Sequence, residues 1–525
     1  MDKDKYITRV CLLSAPLEND YKHTLYFTDK DGQFSYFYGK KKYEFTNFFY
    51  QRKDSYIRVP VHADELMSKG INYVMYQNSA YSNKWFYAFI TDIKYVTDER
   101  SDVFIETDCI QSWLFDYQVK ESFVEREHVS DDTIGKHTVP EQLETGEYIC
   151  NKKIQGRSFK SNVMVVGSTV DLADTDSELF DGAFDNVSGC MCNGIYNGVK
   201  YYHFTSEKAL NALLANVAKK GKSDAIVSIF MGAPEFYDIE QIEDKSYSIV
   251  KDSNSAKTVE WTVAVLGGDS ILPPEKPTQL DGYTPVNKKL LTFPYCYLLA
   301  SNNNGGNAIY HYEKFSSSNC EFQFKGSLTP GMSIRLQPLN YDGQEVNNLS
   351  GLSVGKLPIC SWSNDVYTNW LTQQSVNLAL GAIGGIGLMS TGHVLTGAMT
   401  IAGSLAPIYQ HSLIPPQAEG NINNGDVTYS SGNARITMEQ ISIKKEFAKI
   451  IDKYFSMFGY KVNMVKTPNK AHRGRWWFTK TIDVNIDGAI PMKDMEVIKK
   501  CYNNGITFWR NGNEIQNYSL SNDIV

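Results

Sequence analysis

Residues 376–408 read VNLALGAIGGIGLMSTGHVLTGAMTIAGSLAPI. They lie inside a longer stretch, residues 366–418, in which 53 residues pass without Asp, Glu, Lys or Arg, although 21% of the whole chain is charged. Two apolar arms, residues 376–389 and 394–408, flank the polar turn at residues 390–393.

Each arm is too short to cross a bilayer alone. A membrane-spanning helix needs about 20 mostly apolar residues. Arms of 14 and 15 residues cover only about 21–23 Å at a rise of roughly 1.5 Å per residue. Seven glycines from Gly381 to Gly403 would each cost about 1 kcal/mol in a water-exposed helix, yet they allow close backbone contact in lipid. The stretch therefore predicts one long tilted span or a hairpin that several copies insert together; the alternative is a buried hairpin in the core of a soluble domain.

The predicted membrane contacts are the apolar and glycine residues of the two arms: Val376, Leu378, Leu380, Gly381, Ile383, Gly385, Ile386, Leu388, Met389, Val394, Leu395, Met399, Ile401, Leu405 and Ile408. Trp362, Trp370 and Tyr409 flank them, where interfacial aromatic side chains are expected. His393 and His411 are the groups of the stretch that ordinarily titrate near pH 6, so a pH trigger is a hypothesis.

The composition predicts a mainly β (α+β) protein of several domains. For 525 residues we expect about three or four domains. Aromatic residues make up 13% of the chain, and Asn-Gly and Asp-Gly turns recur, which favours strands. The formal charge of −7 gives no general attraction to nucleic acid. The chain begins Met-Asp-Lys-Asp-Lys without an apolar segment, so we expect no signal peptide.

The predicted domains follow changes of pattern along the chain. They are a β domain at 1–150, an α/β insert at 151–285, a second β domain at 286–365, a hydrophobic loop at 366–420 and a C-terminal α+β section at 421–525.

Periodicity predicts particular elements within these domains. Helical spacing of apolar residues predicts a helix over 447–458, with Gly459 as its stop, and others over 206–220 and 494–502. Residues 29–32 predict a turn, residues 103–115 a strand paired with 85–96, and residues from 123 an irregular segment.

The sequence predicts no catalytic residue. Residues 351–355 match the spacing of a nucleophile elbow at Ser353, but the following Lys-Leu-Pro358 cannot form the helix that this motif requires. Glu125, Glu127 and His128 lack a second histidine at the spacing of a zinc protease, so we expect them to be structural.

The sequence also predicts no metal and no cofactor. Asp174, Asp176, Glu178 and Asp181 have the oxygen density of a calcium loop, but Leu179 stands where that loop needs glycine, so calcium binding is left open. The nine cysteines contain no CxxC pair, which argues against a zinc knuckle or a disulfide framework. The basic and aromatic residues at 466–477 suit phosphate or headgroup contacts, but a solvated hairpin end is the simpler interpretation.

Several separated motifs together resemble one family from end to end. They are WFYAFITD (85–92), ETDCIQSWLFD (106–116), FVEREH (123–128), PICSW (358–362), DVYTNW (365–370), MFGYKVN (457–463), KTIDVN (480–485) and NGITFW (504–509). In these motifs the chain resembles the distal tail tube (tail knob) proteins of phi29-like podoviruses, which are short-tailed phages.

The resemblance implies β-barrel-like tail-tube domains assembled into a ring, here a homo-hexamer at the distal end of the virion tail. In that family, hydrophobic loops plug the lumen and then leave it to form a pore in the host cytoplasmic membrane, through which DNA passes. The implied partners are the proximal tail tube, host membrane lipid and viral DNA, bound without sequence specificity. The family's loop corresponds to about residues 372–416 of this sequence.

Two other functions are alternatives. A tail-tip peptidoglycan hydrolase or endopeptidase would need a nucleophile or metal group that the sequence does not provide, and a zymogram against cell walls would reveal it. A constitutive membrane channel is disfavoured because the chain has a single short apolar region, and expression as a soluble protein would exclude it.

Overall fold

The structure is a computed structural model, and it describes residues 8–48, 51, 53–155, 163–169, 190–192, 195–197, 200–219, 225–232, 239–241, 248–250, 259–260, 274–303, 305–325, 333–343, 351–356 and 436–525. The described chain is mainly β with few helices, which confirms the predicted fold class. It divides into two compact units. The first unit comprises Met1–Glu147, Gly282–Thr292 and Lys444–Val525, and the second comprises Tyr148–Asp281 and Phe293–Ile443.

The elements follow one another in chain order. The first group is β1 (Thr8–Leu13), β2 (His23–Leu25), α1 (Lys30–Gly39), β3 (Lys41–Phe48), β4 (Tyr56–Val59), α2 (Ala63–Ser68), β5 (Tyr73–Asn78), β6 (Trp85–Thr97), β7 (Arg100–Thr107), α3 (Cys109–Trp113), β8 (Tyr117–Val119) and β9 (Ser122–Glu127). The second group is β10 (Tyr148–Gln155), β11 (Val163–Ser168), β12 (Cys190–Cys192), β13 (Ile195–Asn197), β14 (Lys200–Phe204), α4 (Glu207–Lys219), β15 (Ile226–Gly232), β16 (Ile239–Gln241), β17 (Ser248–Val250) and β18 (Val259–Glu260). The third group is β19 (Cys296–Ser301), β20 (Asn307–Tyr310), β21 (Phe322–Lys325), β22 (Ser333–Pro338), β23 (Leu352–Lys356), β24 (Thr437–Ile443), α5 (Lys445–Phe458), β25 (Tyr460–Lys466), β26 (Trp476–Ile482), β27 (Ile486–Gly488), α6 (Met492–Asn504) and β28 (Ile506–Trp509).

A six-stranded antiparallel sheet, in the order β3-β1-β5-β6-β7-β4, forms one layer of the first unit. Val10 and Leu12 of β1 pack in one hydrophobic cluster. Cys11 and Leu13, on the opposite face, pack in another with Phe37 of α1. Because successive side chains of a strand point to opposite faces, the burial of all four shows that both faces of the sheet are covered.

A five-stranded sheet, in the order β2-β28-β26-β9-β25, forms the second layer of this unit. Its strands are antiparallel except for β2, which pairs with β28 in parallel. Trp476 of β26 and Trp509 of β28 are fully buried, and their ring centroids lie 5.0 Å apart. On the other face, Trp477 and Phe508 pack in the cluster that contains Ile498 of α6. Large aromatic side chains therefore fill the core on both sides of this sheet.

The second unit contains several smaller antiparallel sheets. Their strand orders are β10-β24-β19-β20, β15-β11-β14-β17-β16, β12-β13 and β18-β21-β22-β23. Helix α4 belongs to this unit, and Leu210, Leu213, Leu214 and Val217 along one of its faces are buried. The predicted helix at 206–220 is thus confirmed. The domain borders predicted from composition stay a prediction.

The two C-terminal helices are confirmed as well. Helix α5 ends at Gly459, whose φ of +65° is a conformation that glycine adopts without steric cost. A Cβ at this position would overlap the backbone carbonyl of Glu127. Helix α6 ends in the same way at Gly505, with φ of +93°.

Three local predictions were wrong. Asp29 does not begin a turn but caps α1, because its carboxylate accepts a 2.7 Å hydrogen bond from the Gly32 N–H. The predicted strand at 103–115 ends at Thr107, because Asp108 caps α3 by accepting from the Gln111 N–H at 3.0 Å. The segment from 123 is not irregular, since β9 pairs with both β25 and β26.

Candidate functional site

The predicted membrane-active site falls in the part of the chain that the structure leaves undescribed. All arm residues from Val376 to Ile408, with Trp362, Trp370 and Tyr409, lie outside the described residues. The same holds for His393, His411 and the acidic loop at 174–181. Their assignments remain predictions.

The strands on either side of the uncharged stretch belong to the second unit. The stretch follows β23, which pairs with β22 at the edge of its sheet. The next described strand after the stretch is β24, which pairs with β10 on one side and β19 on the other. Residues 357–435 therefore connect two different sheets, and β24 is held by backbone hydrogen bonds on both sides.

The nucleophile-elbow pattern around Ser353 has no catalytic setting. Ser353 lies within β23, where its backbone is in register with Arg335 of β22. A nucleophile elbow requires a sharp turn from a strand into a helix. Ser353 therefore does not stand at such a turn.

Glu127 and His128 have structural roles, as predicted. The Glu127 carboxylate is buried, pairs with Lys466 Nζ at 2.6 Å and accepts from the Asn469 N–H at 2.8 Å. His128 is buried, and its Nδ1 accepts from the Phe478 N–H. Glu125 makes a partly exposed ion pair with Lys480 at 2.8 Å. These side chains hold the ends of neighbouring strands together.

The basic segment at 466–477 is not a solvated hairpin end, so that interpretation was wrong. Arg473 is 9% exposed and donates to the backbone carbonyls of Asn522 and Val129. Arg475 pairs with Glu514 at 2.6 Å. The side-chain amide of Asn522 donates to the Trp476 carbonyl at 2.7 Å and accepts from the Arg475 N–H at 3.0 Å. The C-terminal tail therefore packs on this segment and binds the side chains of Arg473 and Arg475.

A buried ionic cluster in the first unit was missed in the sequence. The Glu141 carboxylate pairs with Arg126 and Lys289, and all three side chains are at least nine-tenths buried. Glu141 also accepts from the Lys461 N–H at 2.9 Å, and Arg126 donates to the Gly459 carbonyl at 2.7 Å. Three distant parts of the chain meet here, and their sequence spacing carries no signal of that meeting.

The described residues contain neither a metal-ligating cluster nor a membrane-spanning helix. No three His, Cys, Asp or Glu side chains converge there in a way that could hold a metal ion. None of the helices there has both the length and the apolar character that crossing a membrane requires.

Comparison with known proteins relates nearly the whole chain to phage tail proteins. Residues 7–118 match the family model described as the caudoviral major tail protein N-terminus. Residues 266–523 match the model for the C-terminal domain of the Bacillus phage phi29 tail knob protein gp9. The tail knob protein gp9 of Bacillus phage phi29 is 26% identical over 98% of both chains, and that of Bacillus phage B103 is 25% identical over 97% of both. The chain belongs to the tail knob proteins of phi29-like phages.

The fold of this tail knob protein agrees with the sequence relationship. The solved structure of the bacteriophage C1 tail knob protein, gp12, matches 99% of this chain and 100% of its own, with a TM-score of 0.59 at 16% identity. The resemblance inferred from the motifs is therefore confirmed. As a tail knob protein, the chain is a structural component of the virion tail and associates with other tail proteins.

Proposed function

We propose that this tail knob protein forms the distal tail tube as a homo-hexameric ring joined to the proximal tail tube. Its uncharged stretches plug the lumen of the ring and then enter the host cytoplasmic membrane, where they line a pore for the viral genome. The proposal rests on one observation: residues 366–418 carry no Asp, Glu, Lys or Arg in a chain that is 21% charged.

The length of the arms explains why several copies must act together. One arm of 14 or 15 residues is shorter than the roughly 30 Å hydrocarbon core of a bilayer. Six copies would supply twelve arms, two from each copy, and helices in lipid associate through small residues such as the glycines of this stretch. Enclosure in the lumen would hide the same apolar surface from water before infection.

The charge of the chain suits the passage of DNA. Its formal charge of −7 gives the tube wall no overall attraction for the phosphate backbone. A wall of this kind lets DNA pass without sequence-specific binding. The ring also removes exposed sheet edges, which suits a strand-rich subunit.

Dye leakage from anionic lipid vesicles tests the membrane step. The assembled protein should release the dye, more so at pH 5.5 than at pH 7 if the histidines act as the trigger. Deletion of residues 378–405 should abolish the release. Equal leakage from the parent and the deletion variant would remove the stretch from the mechanism.

Two double variants test the same step without a deletion, so that misfolding of the deletion variant does not decide the result. Leu388→Lys with Ile401→Lys puts two charges into the arms, where each costs about 2.5–3.5 kcal/mol at the centre of a membrane helix. Asn423→Lys with Asn424→Lys adds the same charge beyond the stretch. Only the first pair should suppress leakage, and equal suppression by both would indicate a general charge effect.

A further inference from the structure

The first unit contains a cleft of about 840 Å³, which is within the roughly 300–1,000 Å³ typical of small-ligand sites. Its walls come from six parts of the chain: Lys22 and His23 at the start of β2, Tyr283 in the segment Gly282–Thr292, one face of α5, Phe478 of β26, Thr507 of β28, and the C-terminal tail around Tyr518. Neither the tail-tube assignment nor the membrane step uses this cleft.

The one carboxylate in the cleft wall is fully occupied. Asp452 of α5 accepts hydrogen bonds from the Tyr283 hydroxyl at 2.7 Å and from the Val286 N–H at 2.8 Å. It also accepts from the Asn287 N–H at 3.0 Å and from the side-chain amide of Asn287 at 2.7 Å. These bonds anchor the segment Gly282–Thr292, so Asp452 has no free lone pair directed at a cationic ligand.

The remaining charged groups of the wall are cations. Lys449 and Lys453 lie one turn apart on α5, so their side chains project from the same face of the helix. Within the described residues, neither has an acidic side chain within ion-pair distance. Lys22 is largely exposed and lies 3.1 Å from Asp20. The cleft therefore presents positive charge that its own wall does not neutralise.

The neutral polar groups of the wall include hydrogen-bond donors and hydroxyls beside its apolar and aromatic side chains. His23 Nδ1 accepts from the Trp509 indole N–H at 3.3 Å, which leaves Nε2 to carry the proton. The Ser456 hydroxyl accepts from the Asn287 amide at 2.8 Å, so its own O–H is free to donate. Gln516 and Asn517 add amides at the rim, and Ser519 adds a hydroxyl that donates to the side-chain oxygen of Asn517.

We propose that this cleft binds the phosphate ester of a polyol or sugar. A phosphate can carry two negative charges, which suits the compact ammonium groups of Lys449 and Lys453 in the cleft wall. The rim amides and hydroxyls match the hydroxyls of a polyol. The half-buried rings of Tyr283 and Tyr518 offer apolar faces for its carbon skeleton.

Calorimetric titration of the assembled full-length protein tests the proposal. The probes are inorganic phosphate, glycerol 3-phosphate, a glycerol phosphate polymer and a single-stranded oligothymidylate. Glycerol 3-phosphate should bind more tightly than inorganic phosphate, and binding should weaken with added salt. If the polymer binds more tightly than the single ester, the ligand is a polymer repeat. If the affinities per phosphate are equal, the ligand is the free ester.

Two double variants localise the binding. Lys449→Gln with Lys453→Gln should weaken glycerol 3-phosphate by about tenfold or more, because each removes a charge-assisted hydrogen bond. Lys42→Gln with Lys500→Gln removes the same charge from exposed positions that do not line the cleft, and it should leave affinity unchanged.

Three outcomes would overturn the proposal. They are the absence of binding by any phosphate ester, equal weakening in the two double variants, and tighter binding of oligothymidylate than of every polyol phosphate. Vesicle leakage uses neither these lysines nor these ligands, so failure here is distinguishable from failure of the membrane step.

Discussion

His128 Nδ1 accepts a 2.8 Å hydrogen bond from the backbone N–H of Phe478. Its other ring nitrogen, Nε2, donates to the Ser456 carbonyl at 3.2 Å, so the neutral ring joins β9, β26 and α5. Burial, with the Arg473 guanidinium nearby, lowers the pKa of His128 to about 3. This residue thus ties the stability of the first unit to pH.

The stability of the first unit should fall in mild acid because of His128. The unfolded chain binds a proton at this residue near pH 6.5, whereas the folded chain binds it only near pH 3. Stability should therefore decrease by about 1.4 kcal/mol per pH unit as the pH falls through this window, or about 2.7 kcal/mol at pH 4.5. Urea unfolding of the parent and of His128→Gln at pH 7 and 4.5 measures the difference. The same pH dependence in both proteins would exclude His128 as its source.

Replacing Glu141 should destabilise the first unit strongly. Glu141→Gln leaves Arg126 and Lys289 buried without a counter-charge, which costs about 3–5 kcal/mol. The matched control is Glu147→Gln, because the Glu147–Lys444 pair is exposed and contributes at most about 1 kcal/mol. Thermal unfolding of both variants compares them, and a Glu141→Gln midpoint close to that of the control would contradict the expectation.

Gly459 should not tolerate a side chain. Gly459→Ala places a Cβ against the Glu127 carbonyl at a φ of +65°, and we expect a loss of about 2–4 kcal/mol from overpacking and backbone strain. Gly39→Ala is the control, since Gly39 closes α1 and a Cβ there meets nothing within 4 Å. Chemical denaturation should separate the two variants clearly. Equal midpoints would mean that β9 can shift to admit the methyl group.

Asp452 should control access to the segment Gly282–Thr292. Asp452→Ala removes the acceptor for Val286 and Asn287 and leaves the buried Asn287 N–H unpaired, at a cost of about 1–3 kcal/mol. Trypsin should then cut faster after the exposed Lys288. Asp487→Ala, at an exposed carboxylate, should leave the cleavage rate at its parental value. Unchanged cleavage in Asp452→Ala would show that other contacts hold the segment.

Local sequence signals were sufficient for the elements whose pattern spans several turns. Helices α4, α5 and α6 were predicted because their apolar residues repeat at helical spacing and glycine or a cap residue marks an end. The same kind of reasoning failed for α1, because Asp29-Lys-Asp-Gly32 suits both a turn and a helix cap. Because the ten residues of α1 have little amphipathic character, their apolar pattern did not distinguish a helix from a turn.

The contacts between distant parts of the chain could not be predicted. Glu141 stands in a segment without periodicity, and its partners Arg126 and Lys289 are 15 and 148 residues away. The charges of the basic segment at 466–477 looked available to a ligand in the sequence. The structure shows Arg473 and Arg475 held by the C-terminal tail, because hydrogen-bond partners depend on where the chain returns.

The sequence by itself determined the mainly β character, the major helices, the uncharged stretch at 366–418 and, through its separated motifs, the family. These properties depend on side-chain type and local spacing, and both can be read directly from the sequence. Only the tertiary structure decided that β9 is a central strand, that Glu141 compensates two buried cations, and that Lys449 and Lys453 face a cleft without a free carboxylate. Burial and charge pairing depend on which distant residues become neighbours when the chain folds, and linear spacing does not contain that information.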